Sequence, residues 1–308
     1  MRFLLLLPVL LLGAGCASNL STLQTARPLA PGQVQVSLGA GAFLPVGNLL
    51  DVVDLGIDQG KQLKRDIEDG ESVNLSEADQ QRLLTAGTAL AVAPPGIVNE
   101  LMIRAGVAEN LDLGLRYSGI SLRLDAKYRF LHSGSPEGAS EHTRRSFDMA
   151  IGLGGSRHIF KSPALDALKV VEIKDFSRYD VEVPLYISWD VGDIFKLYAA
   201  PKYIFSRTSL DQALINYAEQ GKPVTGFDAS LPARVNSHFA GSTLGLSLGY
   251  KYVHLYAELT GGYTFCEPQL FGAKRDLGGA TFYPAVGLAF RNGASVERQP
   301  MRQGPAKR

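Results

Sequence analysis

Apolar and polar residues alternate with a period of two along most of this chain. In 33–44, Val34, Val36, Leu38, Ala40, Ala42 and Leu44 fall on one side, and Gln33, Gln35, Ser37, Gly39 and Gly41 on the other. That period belongs to a strand with one face toward an apolar phase and one toward polar groups. The cleanest row sets Leu122, Leu124, Ala126, Tyr128 and Phe130 against Arg123, Asp125, Lys127 and Arg129. Further rows run over 101–107, 111–117, 147–153, 179–189, 195–205, 240–250, 253–259 and 282–290, ten in all. Each holds roughly 8–13 residues, and a strand of ~11 residues at ~3.3 Å rise, tilted ~45°, spans about 25 Å, the height of a bilayer-spanning barrel's apolar band. Several rows end in an aromatic residue (Tyr117, Phe130, Trp189, Phe205, Tyr250, Phe290), as at the interfacial girdles of such barrels. The expected fold is all-β, an antiparallel transmembrane β-barrel of about ten strands, with eight or twelve as alternatives. A soluble β-sandwich also alternates, but its strands average ~5–6 residues and seldom place four charges along one face as 123–129 does.

The connections have an order of their own. Four of them, 109–110, 132–145, 191–194 and 250–251, lie at one end of the rows, and three of these are very short. At the other end lie 45–96, 118–120, 158–178, 206–237 and 265–279, mostly long. Short periplasmic turns and long outer loops are the rule for outer-membrane barrels, which predicts an outer membrane location with both chain termini periplasmic. Short helices are expected in the outer loops. Ser76 with Asp79 forms a capping-box-like start for a helix over 78–90, stopped by Pro94-Pro95-Gly96. Ser209 to Glu219 reads as a second helix, with Leu210, Ala213, Leu214 and Tyr217 on one side. Such helices either cap the outer mouth, fold into the lumen or merely cover barrel edges.

Composition narrows the chemistry. Lys and Arg number 31 against 30 Asp and Glu, so neither a nucleic-acid face nor an acidic tail is expected. Two cysteines provide no disulfide framework and no cysteine-based metal site, and neither a metal nor a cofactor is expected. Cys266, on an outward loop, reads as an inert thiol. The polar rows put Glu100, Arg104, Asp112, Arg116, Arg123, Asp125, Lys127, Arg129, Asp180, Glu182, Lys196, Lys202, His254 and Glu258 toward the lumen. Lone buried charges are costly, so opposite charges on neighbouring strands should pair and fill a narrow barrel. This favours a structural or interaction role at the envelope over a narrow channel for small polar or amphipathic solutes. A rim-sited hydrolase or acyltransferase is a third reading, with His158 and Ser156 approaching His238 and Ser237. The spacing of these residues matches no hydrolase signature. Gly152-Leu153-Gly154-Gly155 and Gly261-Gly262 lack the strand–loop–helix setting of a phosphate loop; they ease curvature or make room inside.

At the N-terminus, Arg2, the apolar run Phe3–Leu12 and the small residues Gly13, Ala14 and Gly15 form an export signal. With Cys16 next, the stretch resembles the lipobox of bacterial lipoproteins. Gly13 departs from it, since Leu is usual there, and an ordinary signal peptide with an incidental cysteine is the alternative. The resemblance implies a signal peptide over 1–15, diacylglycerol on the Cys16 thiol, an acyl group such as palmitate on its amine, and, with Ala17 following, sorting to the outer membrane. Residues 16–32 then read as a lipidated tether from the inner leaflet, 33–290 as the barrel and 291–308 as a polar C-terminal tail. The stretch Ser21–Gly32 with its following strand, and Glu109-Asn110-Leu111-Asp112-Leu113-Gly114-Leu115-Arg116, resemble predicted outer-membrane β-barrel proteins of Gram-negative bacteria, a largely uncharacterised family. The resemblance implies the architecture and outer-membrane lipids as surroundings. It assigns no substrate and no functional residue beyond Cys16; the partner is an envelope protein or a small solute.

Overall fold

The computed structural model describes residues 18–134, 145–159, 168–191, 194–217, 222, 224–226, 229–250 and 252–292. The expected signal peptide, Cys16 and the tail beyond Asn292 lie outside the described residues. Ten long antiparallel strands close into a barrel: β1 (Val34–Val46), β2 (Gly96–Ala108), β3 (Leu111–Tyr117), β4 (Ser121–Gly134), β5 (Arg145–His158), β6 (Val171–Val191), β7 (Phe195–Leu214), β8 (Ser230–Tyr250), β9 (Val253–Phe265) and β10 (Gly279–Arg291). Every strand pairs with its neighbours in sequence, and β1 completes the ring against β10, with Leu38 opposite Leu288 on one side and Leu101 on the other. Closure leaves the barrel sheet without an unpaired edge.

The strand ends that flank 109–110, 135–144, 192–194 and 251–252 gather at one end, the turn mouth. At the opposite end, the loop mouth, lie the strand ends that flank 47–95, 118–120, 159–170, 215–229 and 266–278. The expected contrast between short turns and long loops is therefore present.

Side chains divide by strand parity. Leu124, Leu153, Leu244 and Val286 point outward and are 65, 60, 66 and 57% exposed, whereas Arg104, Asp112 and Lys127 point inward and are at most 2% exposed. Aromatic residues stand outward near both ends: Phe130, Trp189, Tyr250 and Phe290 by the turn mouth, and Tyr179, Tyr263, Phe265 and Phe282 toward the loop mouth.

Three strands are longer than their alternation predicts, and the cause is an inversion of polarity. Above about Tyr179, Phe205 and His238, β6, β7 and β8 continue toward the loop mouth with apolar residues inside (Val171, Ile173, Leu210, Leu214, Val235). Outside they carry Glu172, Lys174, Arg207 and Arg234. The helix expected over Ser209–Glu219 is therefore corrected: through Leu214 this segment is strand β7, paired with both β6 and β8. Its apolar residues face inward at alternate positions, because the interior here is filled by a helix rather than by charges.

That helix is α2 (Glu77–Val92), which follows α1 (Asn48–Glu68) in the connection after β1. The amide of Asp79 donates to Ser76 Oγ at 3.2 Å, and the Ser76 hydroxyl returns a bond to the Asp79 carboxylate at 2.6 Å, so the predicted capping start is realised. Apart from the half-buried Thr85, Leu83 to Val92 are all buried. Gln212 of β7 donates to the Leu84 carbonyl at 2.7 Å and to Thr88 Oγ1 at 2.9 Å. The last turn of α2 has no basic residue; Arg178 of β6 donates to the Val92 carbonyl at 2.7 Å and supplies the positive charge that a helix C-terminus favours. So α2 fills the loop mouth, and α1 lies across it. Among the described residues no helix is long and apolar enough to cross a membrane.

Cys266, just beyond β9, is buried in the same apolar cluster, and burial pushes its thiol up to about 12. The folded protein should hold on the order of a thousandfold less thiolate at neutral pH than a free cysteine would. Maleimide labelling of Cys266 is expected to be slow in the folded state and complete within the mixing time in denaturant; equal rates would contradict the packing of this loop.

Candidate functional site

The barrel interior is occupied by the chain's own N-terminal segment. Pro31-Gly32 makes a reverse turn at the turn mouth, where Gln33 N donates to Ala30 O at 2.9 Å and Gly32 adopts φ +79°. Proline at the second position and a positive φ at the third define a type II turn, which glycine accommodates without strain. Residues 31 to 18 thus run up the lumen, antiparallel to β1. The reading of 16–32 as a tether from the inner leaflet is corrected: its described part, from Ser18, lies inside the barrel. The two described ends of the chain, Ser18 and Asn292, stand at opposite mouths. The expected periplasmic placement of the chain termini concerns residues outside the described ones.

The lumen charges hold this segment by its backbone. From the turn mouth upward, Leu29 N donates to Asp112 at 3.1 Å and Lys127 Nζ to the Thr25 carbonyl at 2.9 Å. Gln24 Nε2 bonds the Tyr186 hydroxyl at 2.8 Å. Glu258 accepts from Thr22 N at 2.6 Å and Leu23 N at 2.8 Å, and from the Tyr198 hydroxyl at 2.8 Å. Arg116 donates to the carbonyls of Ser21 at 2.7 Å and Thr22 at 2.9 Å, and Lys202 donates to that of Leu20. Near the loop mouth, Asn19 donates to Glu100 at 2.7 Å, and Arg178 donates to Ser18 Oγ at 3.1 Å.

Leu23 carries the tightest local constraint. Its φ of +45° is the left-handed region, which costs an L-residue about 1–2 kcal/mol. The twist aims two successive amides at one carboxylate, Glu258, and this charge-assisted pair offsets the cost. Its side chain, 1% exposed, enters a slot floored by Gly39 and Gly287, where any Cβ would collide with it. At the turn, Gly106 allows the same close approach of the Leu29 and Ala30 carbonyls.

The remaining charges pair along the wall. Arg104 bridges Asp112 and Asp125, Arg123 bonds Glu182, Lys127 reaches Asp112 at 3.3 Å, and Arg116 lies 3.2 Å from Glu100. At the turn mouth Arg129 pairs with Asp148 at 3.1 Å, and Lys196 with Asp190 at 3.1 Å. Asp180 sits at the loop mouth with Arg178 at 2.8 Å and the Ser156 hydroxyl at 2.9 Å. His254 is inward and 4% exposed. Every residue expected in the lumen thus points inward.

Sequence reasoning missed Arg178, which it placed in a loop, and the acidic partners Asp148 and Asp190. It also missed the role of 18–32. The available signal was an extended Ser/Thr/Gln-rich stretch, free of charge before Arg27, ending in Pro31-Gly32 directly before a strand.

The rim hydrolase constellation does not assemble. His158 faces inward at the end of β5, 3.9 Å from Asp180, with its ring over Phe176. His238 is on the outer face of β8 against Tyr203 and Phe205, its Nδ1 2.6 Å from the Tyr203 hydroxyl. The barrel wall separates the two rings.

No protein-family model matches the sequence, and a search of curated proteins finds no relative. Among solved structures the chain is similar to Neisserial surface protein A (11% identity, 84% of this chain and 95% of that one, TM-score 0.31). It is also similar to Ail, the attachment invasion locus protein of Yersinia pestis (9%, 85% and 99%, TM-score 0.30). A third is the outer membrane protease OmpT from Escherichia coli (8%, 84% and 96%, TM-score 0.34). Likeness at this level assigns neither family nor activity.

Glu258→Ala should leave two amides and a phenol without their acceptor, a loss of about 2–5 kcal/mol. Hydrogen exchange at Thr22 and Leu23 is expected to accelerate well ahead of the barrel strands. Unchanged exchange there would show that Glu258 does not hold the segment.

Proposed function

We propose that the protein is an outer-membrane β-barrel lipoprotein, lipidated at Cys16, with a structural or interaction role at the envelope rather than a transport role. The membrane reading is supported by the exterior: a belt of large apolar side chains, Leu113, Leu124, Leu153, Leu244, Leu259 and Val286 among them, stands 47–66% exposed around the ring. Monomeric soluble proteins rarely expose contiguous apolar patches larger than a few hundred Å². Aromatic residues border the belt at both ends, as in barrels that sit in lipid. The long loops mark the loop mouth as the outer side and the turn mouth as periplasmic.

The closed reading rests on one observation, the anchoring of residues 18–32 along the lumen through backbone bonds to Asp112, Lys127, Glu258, Arg116 and Lys202. A solute pathway needs water or free polar groups along its length, and here those groups are committed to the segment. What the protein offers its surroundings is then the layer over the loop mouth. Its outermost element, α1, exposes Asp51, Asp54, Asp58, Lys61, Arg65 and Glu68, a mixed-sign surface suited to a protein partner at the envelope.

In planar bilayers the intact protein is expected to be silent across salt and voltage, while deletion of residues 18–30 should yield ohmic steps. Steady conductance by the intact chain would overturn the closed reading. The membrane reading is checked separately: Val286→Arg, on the exposed middle of β10, should destabilise the inserted protein by about 2–4 kcal/mol. Heat-modifiable migration on a detergent gel gives the readout, and no effect of the substitution would mean that this face meets water.

A further inference from the structure

We propose that the outer face of β6, β7 and β8, above the apolar belt, docks the phosphorylated saccharide headgroup of a glycolipid in the outer leaflet. The inference rests on the membrane reading above, with the loop mouth on the outer side, and not on lipidation of the chain. These strands rise past the belt because α2 fills the mouth behind them. Leu210 and Val235 of the wall share one buried cluster with Leu83, Leu84 and Leu90 of α2, which stiffens the wall from within. Register orders the outward side chains into a grid. The lowest row is Tyr179, Arg207 and Asn236; above it come Ser177, Ser209 and Arg234, then Asp175, Asp211 and Pro232. With strands ~4.8 Å apart and outward positions ~6.7 Å apart along each strand, the grid is about 10 Å wide and 13 Å tall.

The lower part of the grid carries cations without acids. Arg157, the β5 neighbour of Tyr179, stacks over that ring at 5.4 Å from its centroid. Arg157, Arg207 and Arg234 are all exposed, and among the described residues none of the three pairs with a carboxylate. The arginines of the lumen, by contrast, are paired along the wall. Directly beneath the lowest row come Val181, Phe205 and His238, then Val183, Tyr203 and Ala240, where the lipid-facing exterior begins. Arg207 therefore stands where hydrocarbon gives way to headgroups. Its planar fork matches phosphate oxygens two at a time. Other strands end at this mouth in apolar outward residues: Val46, Ile97 and Phe265 are 41, 63 and 54% exposed. A general headgroup belt would surround the ring, but these cations occupy one side of it.

Above the cations the surface is hollow. A groove of about 500 Å³ is lined by Asp175, Ser177, Ser209, Asp211, Pro232 and Arg234, the two upper rows of the grid. It lies at a bulge, where the register of β6 against β7 shifts between Ile173 and Asp175. The bulge sets Asp175 opposite Asp211, and like charges facing each other across strands are unfavourable. Among the described residues no Lys or Arg pairs with either carboxylate. The hydroxyls of a sugar can donate to both and disperse that repulsion, while Arg234 and the two serines supply donors beside them. Phosphate alone would use only the arginines, and a phospholipid headgroup would leave the groove idle. A phosphorylated saccharide on acyl chains uses the whole grid: chains over Val181 and Phe205, phosphate on Arg207 and Arg234, sugar in the groove.

The test titrates the full chain, purified in detergent, with diphosphoryl lipid A, with dephosphorylated lipid A and with dioleoyl phosphatidylglycerol. The first is expected to bind at least about tenfold more tightly than either of the others. Arg207→Gln with Arg234→Gln should weaken it about tenfold or more. Lys274→Gln with Arg275→Gln, an equal loss of charge on the exposed loop after β9, should leave it unchanged. Asp175→Asn with Asp211→Asn should also weaken it. Removing negative charge would by itself favour an anion, so a loss there reports contact with the sugar. Equal affinity for lipid A and phosphatidylglycerol, or unchanged affinity in either site variant, overturns the proposal. Without any substitution, diphosphoryl lipid A should slow phenylglyoxal modification of Arg207 and Arg234, read by peptide mass, and phosphatidylglycerol should not; no protection also overturns it. A preparation without heat-modifiable migration removes the membrane reading, whereas a heat-modifiable chain that fails these titrations removes the docking site alone.

Discussion

The constraint on which the rest depends is that a narrow ring of ten strands has an interior too small for bulk water, yet its inward row is ionised. Each of those groups must find a partner within reach. Wall-to-wall pairs take care of Arg104, Asp125, Arg123 and Glu182. The others, Glu258, Arg116 and Lys202, reach toward the axis and are satisfied by amides and carbonyls that no barrel strand can spare. An extended backbone along the axis has what they lack: an unpaired donor and acceptor at every residue. The polar wall and the lumen segment therefore require each other. Without the segment the wall is short of partners, and without the wall the segment has no reason to be extended.

The interior changes character along its height, and the strands change with it. Near the turn mouth and the middle it is a polar lumen wrapped around a peptide; near the loop mouth it is an apolar core built on α2. The same closed sheet accommodates both because parity sets only which residues face in, not what they are. The two regimes join at Arg178, which bonds the segment through Ser18, the helix through the Val92 carbonyl and the wall through Asp180.

Much of this was legible in the sequence. The rows from Leu122 to Phe130 and from Val253 to Leu259 lie within strands with the expected faces, and the number of strands follows from counting such rows. Arg123, Asp125 and Glu182 could be placed inside for the same reason, although their pairing needed the register. The alternation rule failed where its physical premise failed. It assumes apolar outside and polar inside, and at Val171, Ile173, Leu210, Leu214, Ala233 and Val235 apolar residues face inward instead, so these stretches read as loop or, around Leu210, as helix. Residues 18–32 escaped notice because a segment bonded through its backbone leaves no periodicity in its side chains. Only Pro31-Gly32 announces that the chain doubles back.

A ring that contains its own leading segment limits the order in which it can be built. The N-terminal end precedes β1, and β1 forms the final seam with β10, the last strand to be synthesised. Once that seam is zipped, residues 18–32 have no passage through a bore already crowded with side chains and stoppered by α2. The leader must lie in the concave trough of a still-open sheet while the later strands curl around it. Maturation is then closer to wrapping than to threading, and whatever machinery inserts this barrel has to accept a curved sheet with its leading segment already laid across it.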